Sequence, residues 1–385
     1  MRPEPDAPPH WRGRGASVKV VVRVILGRRR DVSAGGSTGV VMVALACNLG
    51  IAASKFAAAG WTGCSAMLSE AIHSLVDTSN QALLLIGIKR AARPADARHP
   101  FGYAREIYFW SFIVAILLFS MGAGVSIYEG IDKLAHPHPI HDAYVTYIVL
   151  GIAVVLEGVS TWKAVSEFNS RRGDTGLLAA LRSSKDPTLF TVVLEDMAAL
   201  AGLAVALVGI LAADKLGIAY ADGIASIVIG LILAAVAAFM SIEIQGLIIG
   251  EATHPSVQDG LRVLVAAETG EGRPIRRINE IRTMHLGPND VLVAASVDFH
   301  DHETARDVEA TSARIERAIK GRYPQVKRLY IEVQADGDHA ALLPDDEKGM
   351  AAPLGDGVAT VAPAVAPTPT AQIHPNRKGK KKRRH

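Results

Sequence analysis

A histidine and an aspartate lie four residues apart inside an otherwise apolar stretch of the chain, at His73 and Asp77. The run that contains them, 66–88, is about long enough to cross a bilayer as a helix. On a helix, side chains four residues apart project from the same face, one turn above the other. Imidazole and carboxylate are ligand types that zinc accepts, and zinc prefers four ligands. We therefore interpret the pair as half of a metal site that a second helix must complete.

A second apolar stretch, 188–211, carries two adjacent acids, Glu195 and Asp196. With a rise of about 1.5 Å per residue, Asp77 and Asp196 are expected at similar depths, within about one helical turn. Adjacent residues point roughly 100° apart around a helix, so we expect one acid to bind the ion and the other to support the site or carry a proton. Keeping such groups inside a membrane for packing alone would be costly. The two stretches together predict a metal site about halfway across the membrane.

Other polar residues in apolar runs are less decisive. Glu157 could reach the same site or pair with another helix, and both interpretations stay open. Asp222 lies nearer the outer end of its run, which favours a structural or vestibular role. Asn48 is typical of a hydrogen bond between helices. Cys47 and Cys64 are too few for a disulfide framework or a cysteine metal cluster, so we expect both to pack.

Two loops also hold possible metal ligands. Asp96 and His99 lie just before the third apolar run and could bind a second metal, although ordinary loop polarity explains them equally well. The other loop contains a group of histidines separated by prolines, which favours an extended turn over a metal site. That group consists of His136, His138, His141 and the neighbouring Asp142.

The composition indicates a membrane protein, because 49% of the residues are hydrophobic and only 21% are charged. Apolar runs of spanning length account for the excess. The predicted spans are 39–59, 66–88, 107–128, 144–165, 188–211 and 217–241.

Lys and Arg concentrate in the segments 89–105 and 163–185, whereas the alternate loops hold at most one each. Because cytoplasmic loops carry the excess of positive charge, we expect both termini to be cytoplasmic. No cleavable signal peptide is predicted, since the run Val18–Leu26 is short and charged. We expect a multi-pass protein, surrounded by membrane lipid, in a bacterial inner membrane.

Changes in composition predict four parts of the chain. Residues 1–36 form a disordered basic arm, 37–250 the transmembrane domain, 251–335 a small cytoplasmic domain, and 336–385 a disordered Ala/Pro-rich basic tail. The basic tail favours a solvated segment near an anionic lipid surface, and we expect no nucleic-acid partner.

The small domain reads as an αββαβ unit of the ferredoxin-like kind, an α+β fold. Its strands alternate or run apolar as a half-buried sheet requires, and the turn at Gly287–Asp290 suits a hairpin. An exposed sheet face or edge would favour pairing with a second copy of the chain. The predicted elements are helix Ser256–Glu268, strands Ile275–Leu286 and Val291–Phe299, helix Glu303–Arg322 and strand Arg328–Gln334.

Several motifs in one order give the chain a resemblance to the cation diffusion facilitator family of metal/proton antiporters. They are SEAIHSLVD, HPFGYAREIYFWSF, LEDxAAL, DGIASIVIGL and GEA, followed by the αββαβ unit, and together they cover roughly residues 37–335. The chain most resembles the subgroup with LEDxAAL in the fifth span, which includes organellar zinc transporters of eukaryotes. The resemblance implies a six-helix bundle, an αββαβ cytoplasmic domain and a homodimer.

The resemblance also implies which residues bind metal. The family's second-span pair matches His73 and Asp77, and its fifth-span aspartate matches Asp196, but Val192 replaces the family's histidine. Glu195 is the nearest substitute, with Glu157 as another candidate. In the loop site Asp96 and His99 match, whereas Tyr103 takes the third ligand position. The family's regulatory histidines fall on Asn279, Ser296 and Glu332.

These observations predict a homodimeric antiporter that exports a divalent metal, with Zn²⁺ as the expected substrate and protons as the counter-ion. Mn²⁺, Fe²⁺, Co²⁺ and Cd²⁺ are alternatives. A transport-inactive metal-binding scaffold is the competing interpretation, supported by the altered fifth span. We expect no enzymatic activity, because a membrane metallohydrolase would need an HExxH-like helix and the chain has none.

Overall fold

The computed structural model describes residues 32–62, 65–136, 143–173 and 175–344. Five helices in this part are long and apolar enough to cross a membrane by length and composition. A further long helix, α2, runs over the predicted second span for 27 residues. The helices before the sheet are α1 (Val32–Thr62), α2 (Ser65–Ala91), α3 (Glu106–Ala135), α4 (Ala143–Arg172), α5 (Leu177–Ser183), α6 (Pro187–Leu216) and α7 (Ala221–Ile249). The predicted bundle of spanning helices is confirmed.

Two helices start or bend in ways that the hydropathy pattern does not show. Helix α1 begins at Val32, inside the arm that composition predicts to be disordered up to residue 36. In α3, residues Leu118–Gly124 form a π-helical segment between two α-helical parts. A π segment shifts the backbone hydrogen bonds by one residue and rotates the side chains that follow it.

The start and end of α6 follow from its sequence. Asp186 caps the helix by accepting a backbone N–H of the first turn, and Pro187 suits the first helical position. Gly217 ends the helix in the left-handed conformation, with φ of 68°. The Asp186 carboxylate also accepts from the Ser37 hydroxyl at 2.5 Å and from the Arg171 guanidinium at 3.1 Å. One capping residue therefore fixes the start of α6 relative to α1 and α4.

Glycines allow α3 and α7 to approach closely. A Cβ atom at Gly130 of α3 would lie 2.8 Å from the carbonyl oxygen of Gly223 on α7. A Cβ atom at Gly230 of α7 would lie 3.0 Å from the carbonyl oxygen of Ala123 on α3. Small residues at membrane helix interfaces permit this backbone contact, because association there relies on close packing.

The spanning helices share one apolar core. Leu84 of α2, Tyr108 of α3, Phe190 of α6 and Met240 and Ile244 of α7 are fully buried in it. Contacts join α1 to α2 and α4, α2 to α3, α4 to α6, and α7 to both α3 and α6. This packing brings the polar positions of α1, α2, α4 and α6 to the inside of the bundle.

The part after the bundle has the predicted αββαβ order, and its sheet has the strand order β1-β2-β3. The fold class predicted from the sequence, a helix bundle followed by a small α+β unit, is thus confirmed. The observed bounds of these elements lie close to the predicted ones. The elements are α8 (Pro255–Ala266), β1 (Ile275–Gly287), β2 (Asp290–Phe299), α9 (Ala305–Arg322), β3 (Val326–Val333) and α10 (Asp336–Leu342).

Helix α10 corrects one prediction. Composition predicts disorder from residue 336, but Asp336–Leu342 is helical. Asp336 forms an ion pair of 3.0 Å with Arg277, and the Nδ1 atom of His339 lies 3.0 Å from the Gln334 side-chain oxygen. These polar contacts fix a segment whose composition alone resembles the tail that follows it.

The chain divides into two compact units. Of the described residues, the first unit holds those up to Leu261 together with Arg282–Val293 and Arg317–Leu329, and the second holds the others. Within the first unit, the Arg328 guanidinium lies 2.7 Å from Asp290 and donates to the Phe101 carbonyl oxygen at 2.9 Å. The predicted domain boundary between residues 250 and 251 stays a prediction.

Candidate metal site in the helix bundle

Three acidic side chains are buried among the spanning helices. Glu157 on α4 and Glu195 on α6 are each 7% exposed, and Asp196 on α6 is 1% exposed. Asp77 on α2 is partly buried, and its charge acts on both Glu157 and Glu195. The predicted acids of three spans therefore lie close enough for their charges to interact.

Glu195 is held between two amide side chains of α2. Asn80 Nδ2 donates to Glu195 Oε1 at 3.0 Å, and Gln81 Nε2 donates to Glu195 Oε2 at 3.0 Å. Asn80 and Gln81 are 1% and 0% exposed, so these hydrogen bonds are screened from solvent. Both Glu195 oxygens are thus occupied by donors, and the residue joins α2 to α6.

Asp196 has a different partner. The hydroxyl of Ser160 on α4 donates to Asp196 Oδ2 at 2.5 Å, and Ser160 itself is 1% exposed. Within the described part of the chain, this neutral hydroxyl is the one hydrogen-bond donor to Asp196, and it joins α4 to α6 and orients the carboxylate. Asp196 therefore keeps more of its acceptor capacity for a cation than Glu195 does.

Glu157 completes the group from α4. Its Oε2 atom is buried and has no hydrogen-bond partner among the described residues, and its charge interacts with those of Asp196 and Asp77. In the part of the chain that the structure describes, the side-chain oxygens of Asn48 on α1 and of Asn80 and Gln81 on α2 also lack a hydrogen-bond donor. Buried acceptors without donors are unusual in folded proteins, and oxygen ligands of this kind suit a cation.

The histidine of the predicted site stays a prediction. His73 lies on the backbone of α2, but its side chain is outside the described part of the chain. Among the described side chains, no three His, Cys, Asp or Glu residues come close enough to hold a metal ion. The described acids therefore form an electrostatic cluster, and His73 stays the predicted nitrogen ligand.

The loop residues Asp96 and His99 form a tight turn. Asp96 Oδ1 accepts the backbone N–H of Arg98 at 3.0 Å and that of His99 at 2.8 Å. The Tyr103 hydroxyl donates to Asp96 Oδ2 at 2.5 Å. That hydrogen bond, followed by the one from the His99 backbone, lowers the pKa of Asp96 to about 2. Both carboxylate oxygens thus serve the turn, and Tyr103 takes part as a donor.

The remaining candidates are structural or fall outside the described residues. Asp222 on α7 forms an ion pair of 3.0 Å with Lys133, which also donates to Ser226 at 3.3 Å. His136 lies 3.2 Å from Asp132 of α3. The other members of the proline-rich group, His138, His141 and Asp142, lie outside the described residues, as does Cys64.

In the small domain, the positions that match regulatory histidines carry neutral hydrogen bonds. Asn279 donates to the Ser296 hydroxyl at 3.2 Å and to the Gln334 carbonyl oxygen at 2.9 Å. Glu332 lies on the third strand. The first two positions therefore act as hydrogen-bonding residues of the sheet in this structure.

Three polar residues of the bundle were missed by sequence reasoning. Asn80 and Gln81 follow Asp77 by three and four residues, and Ser160 follows Glu157 by three. Helical spacing places such residues on one face, so the same argument that pairs His73 with Asp77 extends to them. The sequence signal for these three residues is therefore their helical spacing from Asp77 and Glu157.

Buried acids facing one another within a multi-pass helix bundle define an integral membrane protein of a cation-handling class. The chain belongs to the cation efflux family, because the model of that family's transmembrane domain matches residues 41–244. The family resemblance predicted from the motifs is therefore confirmed.

Named relatives support the same family. The chain is 33% identical over 273 residues to the Proton-coupled zinc antiporter SLC30A9, mitochondrial, of Homo sapiens, covering 70% of this chain and 47% of that protein. It is 29% identical over 319 residues to Metal tolerance protein C4 of Arabidopsis thaliana, covering 82% of this chain and 67% of that protein. It is 26% identical over 286 residues to Zinc transporter ZitB of Pectobacterium atrosepticum, covering 73% of this chain and 81% of that protein. The chain spans 47% to 60% of the length of the SLC30A9 relatives from human and Xenopus laevis.

Proposed function

We propose that this chain moves divalent metal ions, with Zn²⁺ as the preferred substrate, across a membrane in exchange for protons. The observation that carries the proposal is the cluster of Asp77, Glu157 and Asp196 on three spanning helices. Such groups inside a membrane protein mark an ion or proton pathway by default. The names of the relatives, a proton-coupled zinc antiporter and a zinc transporter, support the same activity.

Zn²⁺ is proposed because of the ligand types that the helices offer. His73 would supply an imidazole nitrogen, and Asp77 and Asp196 would supply carboxylate oxygens. Imidazole suits zinc, iron and cobalt better than Mg²⁺ or Mn²⁺, which prefer oxygen ligands. The position of the family's fifth-span histidine is occupied here by Val192, which cannot bind a metal. Glu157 is the described acid best placed to supply the fourth ligand, because its Oε2 accepts no hydrogen bond from any described residue.

Proton exchange follows from the chemistry of the same ligands. Metal binding needs a neutral imidazole and ionised carboxylates, so protons and metal compete for them. Protons that reach the cluster from the far side would release the ion there. In transporters with a site near the midplane, rocking of helices against one another then exposes the site to alternate sides. Ser160 would keep Asp196 oriented throughout.

We also propose a homodimer in a bacterial inner membrane, with both termini cytoplasmic and the small αββαβ domain contributing to the dimer contact. The distribution of Lys and Arg among the loops supports this orientation. The relatives include both mitochondrial and bacterial proteins, so the type of membrane rests on the sequence argument alone.

Metal titration of the purified protein tests the proposed substrate. Calorimetry with Zn²⁺, Mn²⁺, Fe²⁺, Co²⁺ and Cd²⁺ should give the tightest binding for Zn²⁺ or its close analogue Cd²⁺. Asp77→Asn should weaken the binding of both strongly. Equal binding of Mn²⁺ and Zn²⁺ would contradict the role of the imidazole. Zinc binding by a protein that shows no flux in vesicles would support the scaffold interpretation instead.

A further inference from the structure

A lysine lies inside the first spanning helix and has no role in the site described so far. Lys55 belongs to α1, within the candidate span Ser37–Trp61, and is partly buried. An ammonium group at such a position is unfavourable unless it meets a counter-charge or reaches the membrane surface. The charges and packing around Lys55 therefore indicate whether its ammonium group meets a counter-charge inside the bundle.

The face of α1 that carries Lys55 is the face that meets the acidic cluster. Cys47, Ile51 and Lys55 follow one another at intervals of four residues, which places them along one side of the helix. Cys47 and Ile51 are 8% and 6% exposed, so this side is turned into the bundle. Lys55 is thus about 12 Å further along α1 than Cys47, towards Trp61.

Glu157 faces this side of α1. Helices α1 and α4 pack so closely that a Cβ atom at Gly50 would lie 3.1 Å from Leu156, the residue before Glu157. The charge of Glu157 acts on the Cys47 thiol, and the charge of Lys55 acts on Glu157. Glu157 therefore lies within electrostatic reach of the side of α1 that ends in Lys55.

We propose that Lys55 is the internal counter-cation of the acidic cluster. It acts through Glu157 to stabilise the metal-free state and to favour release of the bound metal. The inference rests on the proposed function of the same site. Without metal, the ammonium group offsets part of the negative charge that Asp77, Glu157 and Asp196 gather in a medium of low dielectric. With metal bound, the same ammonium group competes with the ion for the Glu157 carboxylate and in this way repels it.

The position of Lys55 gives this repulsion a direction. The residue lies towards the Trp61 end of α1, which is the outer end in the orientation proposed above. The ion would weaken its contact with Glu157 there before it leaves the bundle. Lys55 is accordingly a positioning residue that tunes release, and it is not a metal ligand, because an ammonium group has no lone pair to donate.

Zinc titration of Lys55→Gln tests the proposal. Removing the positive charge should tighten zinc binding by about tenfold and slow zinc turnover in vesicles, because release becomes harder. Lys55→Arg should keep both values within about twofold of the wild type, since the charge is retained. Lys163→Gln is the matched control, because it removes a lysine of α4 that lies six residues after Glu157. It should change neither zinc affinity nor zinc turnover.

A double-mutant cycle with Glu157→Gln shows whether Lys55 acts through that acid. In the Glu157→Gln background, Lys55→Gln should have less than about twofold effect on zinc affinity. If Lys55→Gln alone folds poorly, Glu157→Gln should restore its yield and melting temperature by removing the uncompensated acid.

Two results would overturn the inference. In the first, the wild type binds and transports zinc, and Lys55→Gln binds zinc with the same affinity. That result would show that Lys55 only reaches the membrane surface, and it would leave the proposed function intact. A full effect of Lys55→Gln in the Glu157→Gln background would exclude the pairing. Absence of zinc binding by the wild type would instead contradict the proposed function itself.

Discussion

Glu195 and Asp196 are adjacent in the chain and both are buried, yet their surroundings differ. Glu195 accepts from two amide groups of α2, whereas Asp196 accepts from one hydroxyl of α4. A carboxylate held by two amides joins helices, and one held by a single hydroxyl keeps lone pairs for a cation. The adjacent acids are therefore suited to different tasks.

Substitution of each acid by its amide separates these tasks. Asp196→Asn should lower zinc affinity at least about a hundredfold, because it removes a ligand charge. Glu195→Gln should lower it by less than about tenfold and should chiefly alter the pH dependence of transport. Calorimetry on both variants measures the difference. If Asp196→Asn binds like the wild type while Glu195→Gln does not, the two roles are reversed.

The turn around Asp96 predicts that the loop is dispensable for transport. Asp96→Ala combined with His99→Ala should keep most of the zinc flux in vesicles, since the turn already occupies both carboxylate oxygens and Tyr103 supplies a donor. Ala97, the residue that follows Asp96, offers no side-chain ligand in their place. A double variant as inactive as His73→Ala would show that the loop binds a required metal.

The lowered pKa of Asp96 also gives this turn a pH dependence. The folded state favours the ionised carboxylate, so its contribution is complete above the ordinary aspartate pKa of about 4. The contribution is lost as the pH falls towards about 2, where the folded-state group takes up its proton. The turn should therefore be unaffected by pH changes near neutrality, including those that the proposed proton exchange would use.

Spacing and depth within helices predict that Asp77 and Asp196 meet inside one bundle, and they leave open whether Glu157 reaches the same site. They do not predict which oxygens are occupied, because that depends on contacts between helices that are far apart in the sequence. Ser160 and Asp196, for example, meet across α4 and α6. The role of His73 stays a prediction from spacing and family resemblance.

At the scale of elements, the glycine contacts between α3 and α7 should be sensitive to any side chain. Gly130→Leu should lower the melting temperature of the detergent-purified protein, because a Cβ atom there would already clash with α7. Gly151→Leu on α4 is the matched control, since no described residue outside the neighbouring backbone of α4 lies within 4 Å of a Cβ placed there. Equal melting temperatures for the two variants would show that α3 and α7 can separate without loss.

The sequence predicts elements well where the hydrophobic period or turn chemistry is strong. The β1-β2 hairpin follows from alternating strands on either side of Gly287–Asp290. The π segment of α3 leaves no trace in hydropathy, because it changes the hydrogen-bond register and not the residue types. Helix α10 was missed because its order depends on Arg277 and Gln334, not on its own composition.

At the scale of the whole molecule, two truncations separate the tail from the small domain. Removal of residues 345–385 should preserve transport and dimerisation, since α10 and the sheet remain. Removal from residue 252 onwards should weaken the proposed dimer, because the αββαβ unit is lost. Light scattering of the purified proteins measures dimerisation in both truncations, and zinc flux in vesicles measures transport. A dimer of unchanged stability after the longer truncation would assign the contact to the spanning helices.

The central claim is that zinc crosses the membrane in exchange for protons by way of the cluster on α2, α4 and α6. Proteoliposomes with a zinc indicator and a pH indicator inside test it most directly. An imposed pH gradient should drive zinc uptake with proton movement in the opposite direction, and an ionophore that collapses the gradient should stop it. His73→Ala and Asp77→Ala should abolish both signals while the variants remain folded. Zinc uptake that ignores the gradient, or that continues unchanged in either variant, would contradict the account.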